Sequence, residues 1–236
     1  MTTPDVLVRC QNAARTFGRG SAAVVAVHGA DCEVHAGDRI AITGPSGSGK
    51  STLLHLMAAL ERPTTGTVSW PGLPDGPVAA QVGVVFQGPS LVPALDVAEN
   101  AALPLVLAGV PEDRARRRAL ESLTLVAAAD LATKLPEELS GGQAQRVAVA
   151  RVLALAPRLV LADEPTGQLD RTTGQHIVDV LLSAADTIGA ALVVTTHDPA
   201  VADRLAVRWA MHEGRLHAAS DPLRRSPAAV SRGDTS

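Results

Sequence analysis

The sequence is poor in aromatic residues and in cysteine, and it has no long apolar run. Aromatic side chains make up 2% of its 236 residues, and tyrosine is missing altogether. Cys10 and Cys32 lack a CxxC spacing, so we interpret them as free thiols of a reducing compartment, with no metal or disulfide role. The apolar stretch 103–108 is far shorter than the about 20 residues that span a bilayer. We therefore expect any membrane role to require a partner.

The chain also lacks a global positive charge and a secretion signal. Its formal net charge is −3 and its pI is about 6.1, so it has no basic field of the kind that gathers nucleic acid. Arginines cluster at 114–118, but acidic neighbours in the same predicted helix indicate a solvated face. The N-terminus at 1–5 is not a basic segment followed by an apolar one. These features predict a cytoplasmic protein with no nucleic-acid partner.

Apolar runs and turn residues predict one α/β domain. Strands are expected at Val6–Val8, Val24–Val27, Arg39–Thr43, Val82–Phe86, Leu159–Ala162 and Ala191–Thr196. A helix is expected from Ser51 to Leu60, and 88–155 is mostly helical in pattern with prolines between its segments. Continuous apolar strands such as the last two are typical of a parallel sheet that is covered on both faces.

The segment Gly44–Ser51 fits the phosphate-binding pattern G-x-x-x-x-G-K-[ST] and lies between a predicted strand and a predicted helix. Its glycines bring backbone N–H groups around phosphates, Lys50 reaches the outer phosphates, and Ser51 offers its hydroxyl to magnesium. The nucleotide-binding residues predicted here are Gly44, Pro45, Ser46, Gly47, Ser48, Gly49, Lys50, Ser51 and Thr52.

Polar residues follow two of the predicted apolar strands. Asp163 and Glu164 end one strand and suit a metal-assisted hydrolase, in which Asp163 orients the magnesium shell and Glu164 polarises the attacking water. His197 follows the next strand, at the sheet edge where ligands bind in such folds. A contact of His197 to the terminal phosphate is therefore predicted, whereas we interpret the other six histidines as surface or packing residues.

A second phosphate-binding device stands at Leu139–Gln143. Ser140 is a helix-capping residue, Gly141 and Gly142 allow another molecule to approach the backbone, and a helix start presents N–H groups with a positive dipole end. The chain has no second glycine-rich cradle. Two phosphate-binding devices and one nucleotide predict that two chains share each ligand.

These motifs, in this order, resemble the nucleotide-binding domain of ATP-binding cassette (ABC) transporters over about residues 5–217. The resemblance implies an α/β fold: a P-loop NTPase (RecA-like) core, a small antiparallel β subdomain and an inserted α-helical signature subdomain. One domain would span 1–218, with the core and antiparallel sheet at about 1–87 and 156–218 and the helical subdomain at about 88–155. Residues 219–236 would form a flexible tail.

The resemblance also implies roles for individual residues. Phe17 stands where the family usually has a tyrosine that stacks on adenine, and Gln87 is similar to the Q-loop glutamine that contacts magnesium and water and senses the membrane partner. Asp170 ends a segment similar to the D-loop. The signature residues Ser140, Gly141, Gly142 and Gln143 would contact ATP bound to the opposite subunit. The implied catalytic residues are Glu164, His197 and Gln87, the implied metal ligands are Ser51, Gln87 and Asp163, and the cofactors are ATP and Mg²⁺.

The partners follow from the same resemblance. A second ATPase subunit, in a homodimer with ATP at its interface, and transmembrane permease subunits are implied, which would place the chain peripherally on the inner face of the cell membrane. Residues 44–54, and Glu99-Asn100 followed by 103–105, are similar to the lipoprotein-release, macrolide-exporter and cell-division group. That group drives export or mechanical extraction by dimer closure.

The sequence can be checked against several alternative functions. The main one is a non-transport ABC ATPase that acts on a soluble or cell-division partner, although the long heptad insertions of chromosome-structuring heads are missing. A translation-type factor needs two cassettes in one chain, whereas this chain has one. A GTPase needs an N-K-x-D motif, but neither Asn12 nor Asn100 is followed by lysine. The segment between Trp70 and Gln81 is shorter than in the family, so a trimmed outer sheet is expected.

Overall fold

The computed structural model describes residues 6–74 and 77–218. In these ranges the strands are β1 (Val6–Phe17), β2 (Val24–His35), β3 (Arg39–Thr43), β4 (Thr65–Ser69), β5 (Val82–Val85), β6 (Leu159–Asp163), β7 (Ala191–Thr196), β8 (Val207–His212) and β9 (Arg215–Ala218). The α-helices are α1 (Lys50–Met57), α2 (Val97–Leu107), α3 (Glu112–Leu125), α4 (Gly141–Leu153), α5 (Arg171–Ile188) and α6 (Pro199–Ala202). The predicted tail at 219–236 and part of the shortened link, 75–76, lie outside the described residues.

A six-stranded sheet with the order β5-β6-β7-β3-β8-β9 forms the centre of the molecule. Every neighbouring pair is parallel except β8 and β9. The strands β3, β5, β6 and β7 therefore end at the same edge of the sheet. This order brings the loops that follow Thr43, Val85, Asp163 and Thr196 together, which is where parallel α/β sheets bind ligands.

Side chains of the parallel strands alternate between two hydrophobic cores on opposite faces of the sheet. Ile40 and Ile42 of β3 pack into one core with α1 and the outer strands β1 and β2. Ala41 belongs to the other core, which contains buried residues of α2 to α6. The strands β6 and β7 alternate in the same way. The prediction of a sheet covered on both faces is confirmed.

A second, three-stranded antiparallel sheet with the order β2-β1-β4 covers α1. Its strands β1 and β2 are 12 residues long, so the short strands predicted at Val6–Val8 and Val24–Val27 were too short. The apolar runs end early, but antiparallel pairing continues through polar residues because it satisfies their backbone groups. Irregular register between Cys10 and Arg15 further hides the alternation. The prediction also missed the pair β8 and β9.

The two cysteines lie opposite each other on this sheet. Cys10 of β1 pairs in register with Cys32 of β2, and both are free thiols, as predicted. The pKa of Cys32 is raised well above its usual value, first by a hydrogen bond with the Cys10 thiol and then by burial. A protonated thiol is a poor nucleophile and a poor metal ligand. The pair therefore acts as part of the packing between β1 and the core.

The segment between β5 and β6 is helical. Helix α2 starts with a capping box of Asp96 and Glu99, and α4 starts with one of Ser140 and Gln143. The predicted solvated face at 114–118 is confirmed, because the arginines of α3 are exposed or half-exposed. Among the described residues, no helix is both long and apolar enough to cross a membrane.

Asn100 ties the start of this helical segment together. The side chain is fully buried; its Nδ2 donates to the carbonyls of Val92, Leu95 and Asp96, and its Oδ1 accepts from the Val92 N–H. These four contacts order the turn that precedes α2. The Glu99-Asn100 pair of the sequence is therefore a structural feature: Glu99 belongs to the cap of α2, and the Asn100 side chain reaches back from α2 to the preceding turn.

We predict that Asn100→Leu destabilises the protein by about 3 kcal/mol, because the turn before α2 loses the four hydrogen bonds of this buried side chain. Urea unfolding followed by circular dichroism measures this change. Gln175→Leu, which removes an exposed amide from α5, serves as the control and should change stability by less than about 0.5 kcal/mol. Equal effects of the two substitutions would contradict the role assigned to Asn100.

Candidate active site

The predicted phosphate loop joins β3 to α1 at the converging strand ends. A Cβ atom at Gly44 would lie 2.1 Å from the Met211 carbonyl oxygen, and one at Gly49 would lie 2.1 Å from that of Ala26. Both glycines also have positive φ angles, 154° and 97°. Any other residue would collide with these two backbones, so the tight path of the loop depends on glycine.

Lys50 begins α1, and its side chain folds back over the loop. Its Nζ donates to the carbonyl oxygens of Gly44 and Pro45 at 2.9 and 3.0 Å and lies 3.3 Å from Glu164 Oε1. Only 4% of the residue is exposed. A buried ammonium group needs such partners. The ammonium of Lys50 lies between the carbonyl oxygens of the loop and the Glu164 carboxylate.

Asp163, at the end of β6, is buried and held by two hydroxyl groups. Ser51 Oγ donates to Asp163 Oδ1 at 2.9 Å, and Thr195 Oγ1 of β7 donates to the same oxygen at 2.6 Å. No group of three or more His, Cys, Asp and Glu residues with metal-binding geometry occurs within 6–74 and 77–218. A hydroxyl beside one carboxylate still fits Mg²⁺, which prefers oxygen and takes much of its coordination shell from phosphates and water.

Glu164 lies between two basic side chains. Its Oε1 faces Lys50, and its Oε2 lies 3.0 Å from His197 Nδ1. The backbone of Glu164 has a φ of 42°, unusual for a residue other than glycine. Its N–H donates to Thr195 Oγ1 at 2.9 Å, which holds this conformation. The carboxylate is thereby aimed along the sheet edge towards the loop.

A cavity of about 320 Å³ collects most of the predicted nucleotide site. It is lined by Ala26, Ser46, Gly47, Gly49, Lys50, Ser51, Thr52, Gln87 and Glu164. Asp163 lies behind Ser51, and His197 reaches the cavity through Glu164. The structure thus brings together residues that are up to about 150 positions apart in the chain.

Phe17 does not line this cavity. The ring stands at the end of β1 with 40% of the residue exposed, and the Arg15 guanidinium lies over it at 4.6 Å. Arg15 also forms an ion pair with Glu61 at 2.7 Å. An exposed ring backed by a cation offers a flat surface for stacking, so the prediction for Phe17 stays a prediction.

The signature residues form a separate site. Ser140 caps α4 by accepting from the Gln143 N–H at 3.3 Å, while the Gln143 side chain accepts from the Ser140 N–H at 2.9 Å. A second cavity of about 350 Å³ is lined by Ser140, Gly142, Gln143, Arg146, Thr172, Thr173, His176 and Ile177. It shares no lining residue with the phosphate-loop cavity. Within one chain, the two predicted phosphate-binding devices therefore line different cavities.

Asp170 caps the N-terminus of α5. Its carboxylate accepts from the N–H groups of Thr172 and Thr173 and from the Thr173 hydroxyl. These hydrogen bonds, first that of the Thr173 side chain, lower the pKa of Asp170. The residue also lines a third cavity, of about 430 Å³, together with His197 and Gly167. The predicted D-loop residue therefore has a structural role besides any contact with nucleotide.

Comparison with known proteins identifies this arrangement. The sequence pattern of the ABC transporter family matches residues 27–167. The lipoprotein-releasing system ATP-binding protein LolD of Legionella pneumophila (strain Lens) is 39% identical over 223 residues, which cover 91% of this chain and 98% of that protein. An ABC transporter ATP-binding protein of Thermotoga maritima is 42% identical over 211 residues, or 86% and 90% of the two chains. The chain belongs to the ATP-binding subunits of ABC transporters.

Solved structures agree with this assignment. The dimeric post-hydrolysis state of an ATP-binding cassette bound to ADP and phosphate superimposes with a TM-score of 0.78 at 34% identity, covering 90% of this chain and 98% of that one. A second dimeric structure of the same cassette has the same TM-score at 35% identity. This ABC ATPase therefore has the predicted P-loop NTPase fold.

Two residues of the site were not predicted. Thr195 lies in register with Asp163 on the neighbouring strand and holds both Asp163 and Glu164. His55, interpreted from sequence as a surface or packing residue, stands one helical turn after Ser51, and its Nε2 lies 3.9 Å from Asp163 Oδ2. The i, i+4 spacing from Ser51 was a usable signal for His55, but nothing in the sequence shows which strand neighbours β6.

We predict that Thr195→Val lowers the kcat of this ABC ATPase at least about tenfold and changes its KM for ATP less. The valine keeps the shape of threonine but removes the hydroxyl that bonds the Asp163 carboxylate and the Glu164 backbone N–H. Steady-state phosphate release at several ATP concentrations measures the two constants. Thr187→Val, on the exposed surface of α5, is the control. A loss confined to KM would contradict the positioning role.

Proposed function

We propose that two copies of this chain bind ATP between the phosphate loop of one copy and the signature segment of the other. The observation that carries the proposal is the separation of the two devices, since Lys50 and Ser140 line different cavities. A helix N-terminus that is exposed and already capped suits a phosphate brought by another molecule. Closure of the dimer around ATP would then be the mechanical output.

In this proposal, the roles within each composite site follow from the contacts of the chain. Lys50 leaves the loop carbonyls for the outer phosphates, and Phe17 stacks on adenine. Ser51, Asp163 and Gln87 would hold Mg²⁺, which neutralises the charge that develops on the phosphates when bound. Glu164 accepts the proton of the water that attacks the γ-phosphorus. The bond between the γ-phosphorus and the oxygen that bridges it to the β-phosphorus breaks, and ADP leaves with that oxygen and the electron pair. His197 stabilises the charge on the γ-phosphate.

A membrane permease is the proposed partner, with the ATPase bound to the inner face of the membrane. The name of the Legionella relative, a lipoprotein-releasing system protein, supports export or mechanical extraction as the direction of work. ATP must bind the closed dimer better than the open chains in order to drive closure. Hydrolysis and phosphate release remove that preference, so the dimer reopens and the permease is reset.

We predict that Glu164→Gln slows ATP hydrolysis at least about a hundredfold and traps an ATP-bound dimer. The amide cannot take the proton of the attacking water, but it leaves the phosphate loop unchanged. Hydrolysis assays and light scattering after gel filtration, with and without ATP and Mg²⁺, measure both effects. Glu121→Gln on α3 is the control. Hydrolysis at the wild-type rate would contradict the assignment of Glu164.

A mixing experiment tests whether the sites are shared. Lys50→Ala disables the phosphate loop of one chain, and Ser140→Arg blocks the signature of another, so each variant alone should be inactive. A mixed dimer contains one site with both devices intact, and we expect the mixture to regain hydrolysis. Mixing Lys50→Ala with the Lys50→Ala, Ser140→Arg double variant leaves no intact site and is the control. If the first mixture stayed inactive after subunit exchange, each chain would hold its own complete site.

A further inference from the structure

The residues around Gln87 are bound to the signature helix of the same chain. We call residues 86–90, which follow β5 and include Gln87, the Q segment. The Gln145 side chain of α4 donates to the Phe86 carbonyl oxygen at 3.1 Å. The guanidinium of Arg151, also on α4, donates to the carbonyl oxygens of Pro89 at 3.1 Å and Ser90 at 2.9 Å. Both ends of the Q segment are therefore attached to one helix.

The contact of Gln145 is protected from water. Gln145 is 2% exposed, so loss of its hydrogen bond would leave a buried polar group unpaired. Burial lowers the pKa of the Arg151 guanidinium from its usual value, because it removes part of the water around the charge. Along α4 the two residues are about 9 Å apart, so they hold the Q segment at two separate points of the helix.

The same segment touches the chain's own nucleotide site. The Phe86 ring meets the His55 ring of α1 edge to face, with the ring centres 6.2 Å apart. The Gln87 side chain lies against Gly167, where an added Cβ would be 2.7 Å from Gln87 Nε2. A displacement of α1 or of Gln87 is thus passed on to the backbone that α4 holds.

At its other end, α4 presents the signature. Gln145 lies about one helical turn from Ser140, the cap residue that is proposed to face the partner's ATP. We infer that Gln145 and Arg151 couple the nucleotide bound at a chain's own phosphate loop to the presentation of its signature segment to the partner. They are positioning residues, since neither one lines the phosphate-loop cavity. The inference rests on the proposed shared sites.

Coupling of this kind is visible as cooperativity between the two ATP molecules of a dimer. We expect wild-type hydrolysis to depend on ATP with a Hill coefficient of about 2, and Arg151→Gln and Gln145→Met to lower it to about 1. In the Glu164→Gln background, the same substitutions should raise the ATP concentration needed for dimerisation at least about fivefold. Affinity of the isolated chain for ADP should change less than about twofold, because the phosphate loop is untouched.

Three further variants sharpen the test. Arg151→Lys keeps the charge but cannot span two carbonyls, so it should give an intermediate Hill coefficient. Arg204→Gln removes an arginine whose partner is the exposed Asp179 and should behave as wild type. Thermal unfolding of each variant shows whether it is folded, and Gln145→Met provides a second probe if Arg151→Gln unfolds.

The outcomes separate the two proposals. If the Glu164→Gln protein forms no ATP-dependent dimer even without further changes, the shared-site proposal fails. If it does, but both α4 variants keep wild-type cooperativity and dimerisation, the coupling inference alone is overturned. An equal loss of ADP affinity by the isolated variant chains would also overturn it, since the contacts would then support only the local nucleotide site.

Discussion

The site depends on the way in which one buried carboxylate is held. Asp163 Oδ1 accepts hydrogen bonds from Ser51 and Thr195, so it joins the start of α1, the end of β6 and the end of β7. A charge this deeply buried is tolerated only where hydrogen-bond donors surround it. One of these donors, the Ser51 hydroxyl, is also a predicted ligand of Mg²⁺. The packing of the sheet and the chemistry of the site therefore share the same contacts.

One strained backbone position lies directly beside this carboxylate. Glu164 has a positive φ of 42°, a conformation that costs of order 1–3 kcal/mol for such a residue. The Thr195 hydroxyl accepts a hydrogen bond from the Glu164 N–H, while Lys50 and His197 flank the Glu164 side chain. The surrounding structure thus holds Glu164 in an orientation that a relaxed strand end would not give. This pre-organisation aims the proposed base at the loop before any nucleotide is bound.

The parts of the fold that were predicted correctly are those with a local signal. The apolar strands β3, β6 and β7, the loop 44–51 and the capped start of α4 at Ser140 can all be read within a few residues. The lengths of β1 and β2 were underestimated because they depend on the pairing of the two strands with each other. The apolar runs in the sequence do not show this pairing. The sequence did not reveal the roles of four residues, because their partners lie far away in the chain: Thr195, His55, Gln145 and Arg151.

By itself, the sequence determined the family and the fold class and predicted the phosphate loop, because these depend on residue types at short, fixed spacings. It also indicated two phosphate-binding devices for one nucleotide. Only the tertiary structure decided that Lys50, Glu164 and Gln87 share one cavity while Ser140 lies in another. Strand order, which side-chain patterns do not encode, makes that decision. It places β7 between β3 and β6, so that Asp163 and Glu164 end near the loop, while the signature at the start of α4 lines a different cavity.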